Sequence, residues 1–173
     1  MAESSNQHDQ YVLAAEIFGA GLARLSRAYE ANSDLSRDLL QDMHIGIWRS
    51  LARFDGRCSL RTWVYRVAHN IGASHIVKQR AHLSRLTTLD DLDPPTPEPT
   101  PEEIVGEQQA QLRLMEMVRR LKPPDRQVML LYLEGFEANA ISEVTGLSAG
   151  AIATRIYRVK ALLNAAFAGR EPQ

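Results

Sequence analysis

Apolar side chains along this chain recur at intervals of three and four, the spacing that lays them on one face of an α-helix. Gln10 to Tyr29 reads as a first helix, with Val12, Leu13, Ile17, Leu22 and Leu25 as its apolar members. The string "ANSD" carries a helix start signal at Ser33 or Asp34. Leu40, Met43, Ile47, Leu51 and Phe54 then step along a second helix. "DGRCS" breaks it, and Ser59 can cap a third helix running from Leu60 to about Arg85, with Leu60, Val64, Val67 and Ile71 as its packing stripe. No segment alternates with a period of two for long enough to be a strand.

Pro94, Pro95, Pro97, Pro99 and Pro101 interrupt the helical pattern. Proline lacks the amide donor and pushes its predecessor out of helical dihedrals, so no helix runs through this stretch. Beyond it, Glu102 to Leu121 is amphipathic, with Ile104, Leu112, Met115 and Val118 on one side. "KPPD" stops that helix and starts another, because Pro124 suits a first turn and Asp125 suits the positive N-terminal end. "RQVMLLYLEGF" is a short buried helix ending near Gly135. A helix over 138–145, a tight turn at Gly146-Leu147-Ser148 and a helix over 149–168 complete the chain. The predicted fold is all-α: two small helical domains, 8–86 and 109–169, joined by a flexible acidic proline-rich linker over 87–108.

Charge sharpens this division. Residues 1–85 hold 11 Lys and Arg against 8 Asp and Glu; residues 86–111 hold 7 acids and no base; residues 112–173 hold 9 bases and 6 acids. The formal net charge of −1 therefore hides two mildly basic pieces around an acidic connector. Between Arg49 and Arg85 there are eight Lys and Arg against the single Asp55, a patch suited to an anionic polymer.

Within that patch, "FDGRCSLRTWVYRVAHN" interleaves arginines with a tryptophan and a tyrosine. The arrangement serves either a packed core with a solvated outer face or a surface for something flat and anionic, such as single-stranded nucleic acid. In the C-terminal piece, the helix, glycine-containing turn and second helix form a helix-turn-helix signature. Ile141, Val144, Leu147, Ile152 and Ile156 are its expected inner face. Thr154, Arg155, Tyr157, Arg158 and Lys160 are then presented outward, where arginine and threonine reach base edges and phosphates in a major groove.

Taken together, the two halves resemble the bacterial sigma factors of the extracytoplasmic-function type, which carry only the second and fourth sigma domains. "RDLLQDMHIGIWRSLARFD" and "LRTWVYRVAHN" resemble the strings of the second domain; "LKPPDRQVMLLYLEGF" and "ISEVTGLSAGAIATRIYRVKALL" resemble those of the fourth. The resemblance implies promoter-specific transcription initiation on core RNA polymerase. It implies that "FDGRCS", with Arg57, is a capture loop for the melted −10 strand, and that Arg61, Trp63, Arg66, His69 and Asn70 read or hold that strand. Trp63 and Tyr65 lie in the same string, each as platform or core. Lys78 and Arg80 are implied as a phosphate clamp on the upstream duplex. Asp38, Gln41 and Asp42 are the implied contacts to the clamp of the largest polymerase subunit, and the flap region is a second implied contact. Thr154, Arg155, Tyr157, Arg158 and Lys160 are implied at the −35 element. Ala153 stands where the family has a basic residue, Ala151 replaces a threonine, and "ANA" opens the first helix of the motif where acids are usual; these departures bear on the −35 sequence. An anti-sigma factor is the implied regulator. The connector reads first as an ordinary solvated linker; because the connector of the family threads the polymerase, the resemblance implies as the alternative that Asp90, Asp91, Asp93 and Glu98 occupy a cation-lined channel.

Rival readings find less support. There is no phosphate-binding glycine loop, no nucleophile elbow and no His or Cys cluster with metal-ligand spacing, so neither an enzyme nor a cofactor is expected. The alternative is a helix-turn-helix regulator with a helical sensor domain, which has no need for the string from Phe54 to Asn70. One cysteine, Cys58, cannot form an internal disulfide. No apolar run reaches the ~18 residues of a membrane span, and the first residues lack the order of an export signal. Cytoplasmic residence without membrane insertion is the expectation.

Overall fold

A computed structural model describes residues 2–86 and 106–168, seven helices in two sets. Ile104 and the connector acids Asp90, Asp91, Asp93 and Glu98 lie outside the described residues. The N-terminal set is α1 (Ala2–Tyr29), α2 (Ser33–Leu51) and α3 (Leu60–Leu86), each packed on the other two. The C-terminal set is α4 (Gly106–Arg120), α5 (Pro123–Leu133), α6 (Ala138–Thr145) and α7 (Ala149–Ala168). No strand occurs among the described residues, and no described helix is long and apolar enough to cross a membrane.

The core of the first set is drawn from Leu22, Leu25, Leu39, Met43, Ile47, Val64 and Ala68, all buried. Here α1 departs from the sequence expectation. Val12, Leu13 and Ile17 are exposed, and the packed stripe instead runs through Tyr11, Ala14, Phe18, Leu22, Leu25 and Tyr29. That stripe keeps the three-and-four spacing but includes two tyrosines and an alanine, which a count of purely aliphatic positions passes over. The α2 start also shifts by a residue: Asn32 is the N-cap, its Oδ1 accepting from the amides of Asp34 and Leu35 at 3.0 and 3.1 Å. Ser59 caps α3 as read, accepting from the Thr62 amide at 3.0 Å. At Gly72 α3 meets α1 closely, since a Cβ there would stand 2.5 Å from the Tyr29 ring.

In the second set Val118, Val128, Leu131, Ile141, Ile152 and Val159 are buried together. Leu112 was expected on the inner side of α4, yet it is 56% exposed. The α6–α7 turn follows the sequence closely. Gly146 sits at φ 74°, a left-handed conformation that costs a side-chain-bearing residue about 1 kcal/mol or more. Hydroxyls satisfy the turn around it: Ser142 donates to the Leu147 carbonyl at 2.6 Å, the Leu147 amide donates to Thr145 Oγ1 at 3.2 Å, and Ser148 Oγ accepts from the Ala151 amide at 3.3 Å.

The two sets also touch. Helix α3 lies against α6, and α1 against α4. Across this boundary Tyr65 meets Phe136 edge-on with ring centroids 4.9 Å apart, and Arg126 stands 6.0 Å from the Tyr29 ring.

Candidate nucleic-acid and polymerase interface

The loop from Phe54 to Ser59 is shaped by its own charges. The Arg57 amide donates to Asp55 Oδ1 at 3.2 Å and its Nε lies 2.9 Å from Asp55 Oδ2, while Gly56 turns at φ 75°. This leaves the Arg57 side chain 90% exposed. Trp63 is half-buried: its ring leans on Phe54 at 5.5 Å and its Nε1 donates to Ser50 Oγ at 2.9 Å. The tryptophan therefore anchors the loop to the end of α2, and any stacking surface is the part of its ring left open.

Three residues of α3 depart from a simple solvent-facing array. His69 is fully buried, its Nδ1 2.9 Å from the Tyr29 hydroxyl, and burial pushes its pKa down to about 3. It was expected on the strand-holding surface; in this structure it is a neutral core residue, sealed in by the close approach of α1. Arg61 and Arg66 are half-buried by the C-terminal set. Arg61 donates to the Glu134 carbonyl and its guanidinium stands 4.0 Å over the Phe136 ring, and Arg66 donates to the Glu143 carbonyl at 2.6 Å. Asn70, Lys78 and Arg80 are exposed farther along the helix. Tyr65 is core, with its hydroxyl 3.1 Å from Glu134 Oε2 and its pKa raised mainly by burial.

Helix α2 presents a different surface. Asp38, Gln41 and Asp42 are exposed, and Ile45 and Trp48 follow on the same side at 48% and 45% exposure. Positions 38, 41, 42, 45 and 48 keep helical spacing, so acids lead into an uncovered apolar pair along one stripe. An exposed tryptophan beside an exposed isoleucine is the composition of a protein-contact surface.

In the helix-turn-helix, Thr154, Tyr157, Arg158 and Lys160 are exposed, Tyr157 to 79%. Arg155 is half-buried. Sequence reasoning missed what holds the arginines. Asp125, read as complementing a helix end, is buried in the first turn of α5 and accepts from Arg155 Nη1 at 2.5 Å. It also accepts from Arg158 Nη2 at 2.9 and 2.8 Å. One carboxylate thus fixes both guanidinium groups while leaving most of their donors outward. Glu134 was missed too. Arg24 grips it through two hydrogen bonds of 2.7 Å, and the Arg24 hydrogen bond is the main reason its pKa is lowered. Both acids pair with residues 30 to 110 positions away, a separation that periodicity does not register. Among the described residues no cluster of His, Cys, Asp or Glu is placed to hold a metal ion.

A basic helix in one half and an arginine-bearing helix-turn-helix in the other are features of a DNA-binding protein. The sequence matches sigma-70 region 2 over residues 16–82 and sigma-70 region 4 over residues 111–163. It is 25% identical over 170 residues to the RNA polymerase sigma factor NccH of Alcaligenes xylosoxydans xylosoxydans, covering 95% of this chain and 91% of that one. It is 32% identical over 126 residues to the ECF RNA polymerase sigma factor BldN of Streptomyces coelicolor, covering 71% of this chain and 47% of BldN. Its fold is similar to that of the sigma factor RpoE solved with the anti-sigma factor NepR from Bartonella quintana, with a TM-score of 0.67, 16% identity and coverage of 87% and 92%. The chain belongs to the sigma-70 family, in the region 2 plus region 4 form of the extracytoplasmic-function sigma factors. Its activity is promoter-specific transcription initiation.

Proposed function

We propose a division of that activity among the faces described above. The α2 stripe of Asp38, Gln41, Asp42, Ile45 and Trp48 docks on the clamp of the largest polymerase subunit, the acids steering and the apolar pair desolvating. The Phe54–Ser59 loop and the Arg61, Arg66 and Asn70 side of α3 hold the melted −10 strand, with Arg57 at the entrance and the open part of the Trp63 ring beside it. Lys78 and Arg80 neutralise upstream phosphates. Helix α7 enters the major groove of the −35 duplex, where Thr154, Arg155, Tyr157 and Arg158 face the bases and Lys160 a phosphate. The chain acts in the cytoplasm as a non-enzymatic initiation factor. RpoE was solved with an anti-sigma factor, and a protein of that kind is the proposed regulator here.

The observation that carries this reading is the exposure, on one chain, of an acidic and apolar stripe on α2 together with two separate sets of cations, Arg57, Lys78 and Arg80 before and along α3 and Arg158 and Lys160 on α7. A regulator using its helix-turn-helix alone has no use for the first two. The test is transcription in vitro with core polymerase from the source bacterium and its genomic DNA. The chain added alone should give discrete start sites; starts that appear only when another sigma factor is also present would refute the assignment.

A further inference from the structure

Two of the arginines assigned to the melted strand, Arg61 and Arg66, are occupied by the chain itself. At the elbow between α5 and α6, Glu134 offers a carboxylate and Phe136, two residues on, offers a flat ring. Arg24 binds the carboxylate through both oxygens at 2.7 Å, and the Tyr65 hydroxyl donates to it at 3.1 Å. Arg61 donates to the Glu134 carbonyl and lies 4.0 Å over the Phe136 ring. Arg66, one turn on, donates to the Glu143 carbonyl of α6 at 2.6 Å. An anion, carbonyl acceptors and a ring under a guanidinium are the features a nucleotide presents to a single-strand site. Gly135, at φ 75°, makes the bend that sets the two side by side.

We propose that the α5–α6 elbow is an intramolecular occupant of the strand-holding face, with Glu134 and Phe136 standing in for a nucleotide and Arg24 as the latch. The inference rests on the assignment of α3 to the melted strand made above. In the closed form the free chain does not offer Arg61 and Arg66 to DNA. Its apparent affinity for a single strand is reduced by the fraction of molecules that are open. Separating the two halves, as occupation of distinct promoter elements requires, uncovers the site. The same contact thus couples exposure of α3 to displacement of the helix-turn-helix set.

Arg24 is half-exposed on α1 and belongs to none of the proposed DNA faces. Arg24→Glu makes the chain two charges more negative and sets two carboxylates against each other at the elbow. Full-length parent, Arg24→Glu and the charge-swapped Arg24→Glu/Glu134→Arg are compared by small-angle X-ray scattering. Each is also titrated with a short fluorescein-labelled single-stranded DNA of mixed sequence at low salt. The latch requires Arg24→Glu to expand and to bind the strand about threefold to tenfold more tightly, although bulk electrostatics alone would weaken it. The swapped pair should return both readouts toward the parent. A compact Arg24→Glu, weaker or unchanged strand binding, or a swap that fails to restore closure would overturn the proposal. Should Arg24→Glu lose helical signal in circular dichroism, Arg24→Gln decides by the same criteria with a gain of about twofold. Transcription by the parent on core polymerase is run alongside. Specific starts without the predicted gain in Arg24→Glu sink the latch and leave the sigma function standing, whereas absence of starts refutes the underlying assignment.

Discussion

Replacing Asp125 by asparagine changes one carboxylate oxygen for an amide nitrogen at the point where Arg155 and Arg158 converge. The volume is kept, so the effect is electrical and directional rather than steric. In the parent, three hydrogen bonds of 2.5 to 2.9 Å hold the two guanidinium groups against a carboxylate that is 10% exposed. Charge-assisted bonds of this kind are worth about 1.5–3 kcal/mol when shielded. The arginine side chains are 30% and 55% exposed and recover hydration when released, so a stability loss of about 1–2 kcal/mol is expected. The effect on −35 binding has two opposed parts. Removing a negative charge near the phosphates favours binding by roughly 0.6 kcal/mol at about 7 Å in a water-like dielectric. Freeing two arginines that must be immobilised again on DNA opposes it by about 0.5–1.5 kcal/mol each. The second part wins, and Asp125→Asn should weaken binding of the −35 duplex by about 1–2 kcal/mol, or roughly fivefold to thirtyfold. Holoenzyme titrated against a labelled promoter duplex measures this, with a −35-scrambled duplex as reference. Equal or tighter −35 binding by Asp125→Asn would refute the claim that this carboxylate aims the arginines.

Buried His69 makes the N-terminal set sensitive to acid. Its folded pKa of about 3 lies below the ordinary 6.5, so the unfolded chain binds the proton first, and stability is full above about pH 6.5 and lost toward pH 3 at about 1.4 kcal/mol per unit. Half-buried His44, lowered by burial, adds in the same direction. Urea denaturation from pH 7 to 5 should therefore show a falling midpoint that His69→Gln flattens; a level parental profile would mean that the imidazole is not sealed. Alanine at Arg66 or Asn70 should leave assembly with core polymerase intact and impair open-complex formation, with recovery on a pre-melted bubble if opening is the limiting step; loss of assembly would reassign both residues to structure. Asp42→Ala and Trp48→Ala should lower affinity for core polymerase about fivefold or more without moving the thermal midpoint, and unchanged competition against another sigma factor would remove the α2 stripe from the interface. Neutralising Asp90, Asp91, Asp93 and Glu98 while keeping length and prolines should alter the yield of abortive short RNAs and spare promoter binding; identical transcripts would leave the connector a spacer.

Local rules carried the elements further than they carried the contacts. Glycine at 146 and serines at 59 and 148 act within three residues of themselves, and the structure has them in the roles their chemistry suggests. The α1 stripe was read on its aliphatic residues, but burial follows geometry, and Tyr11, Ala14 and Tyr29 fill positions that chemistry alone does not rank. His69 shows the same limit from the other side. A histidine between arginines and an asparagine reads as polar surface until the partner helix, with Gly72 allowing its approach to Tyr29, closes over it. Asp125 and Glu134 find their partners across turns and between halves, where neither spacing nor propensity points. The family strings suggested where to look for faces; which side chains are exposed there depends on neighbours distant in sequence.

Helix α7 separates two kinds of selection. Ile152, Val159 and Leu163 are buried and answer to the fold, whereas Ala153, Thr154, Tyr157 and Ala161 face outward and touch stability little. Asp125 restrains Arg155 and Arg158 from α5, on a separate helix. On the −35 assignment proposed for α7, exchanging the outward set amounts to rewriting an address on an unchanged envelope. On that assignment, a lineage carrying duplicate copies of such a chain can redirect one of them to new promoters by a few substitutions at these positions, without first having to find a more stable protein.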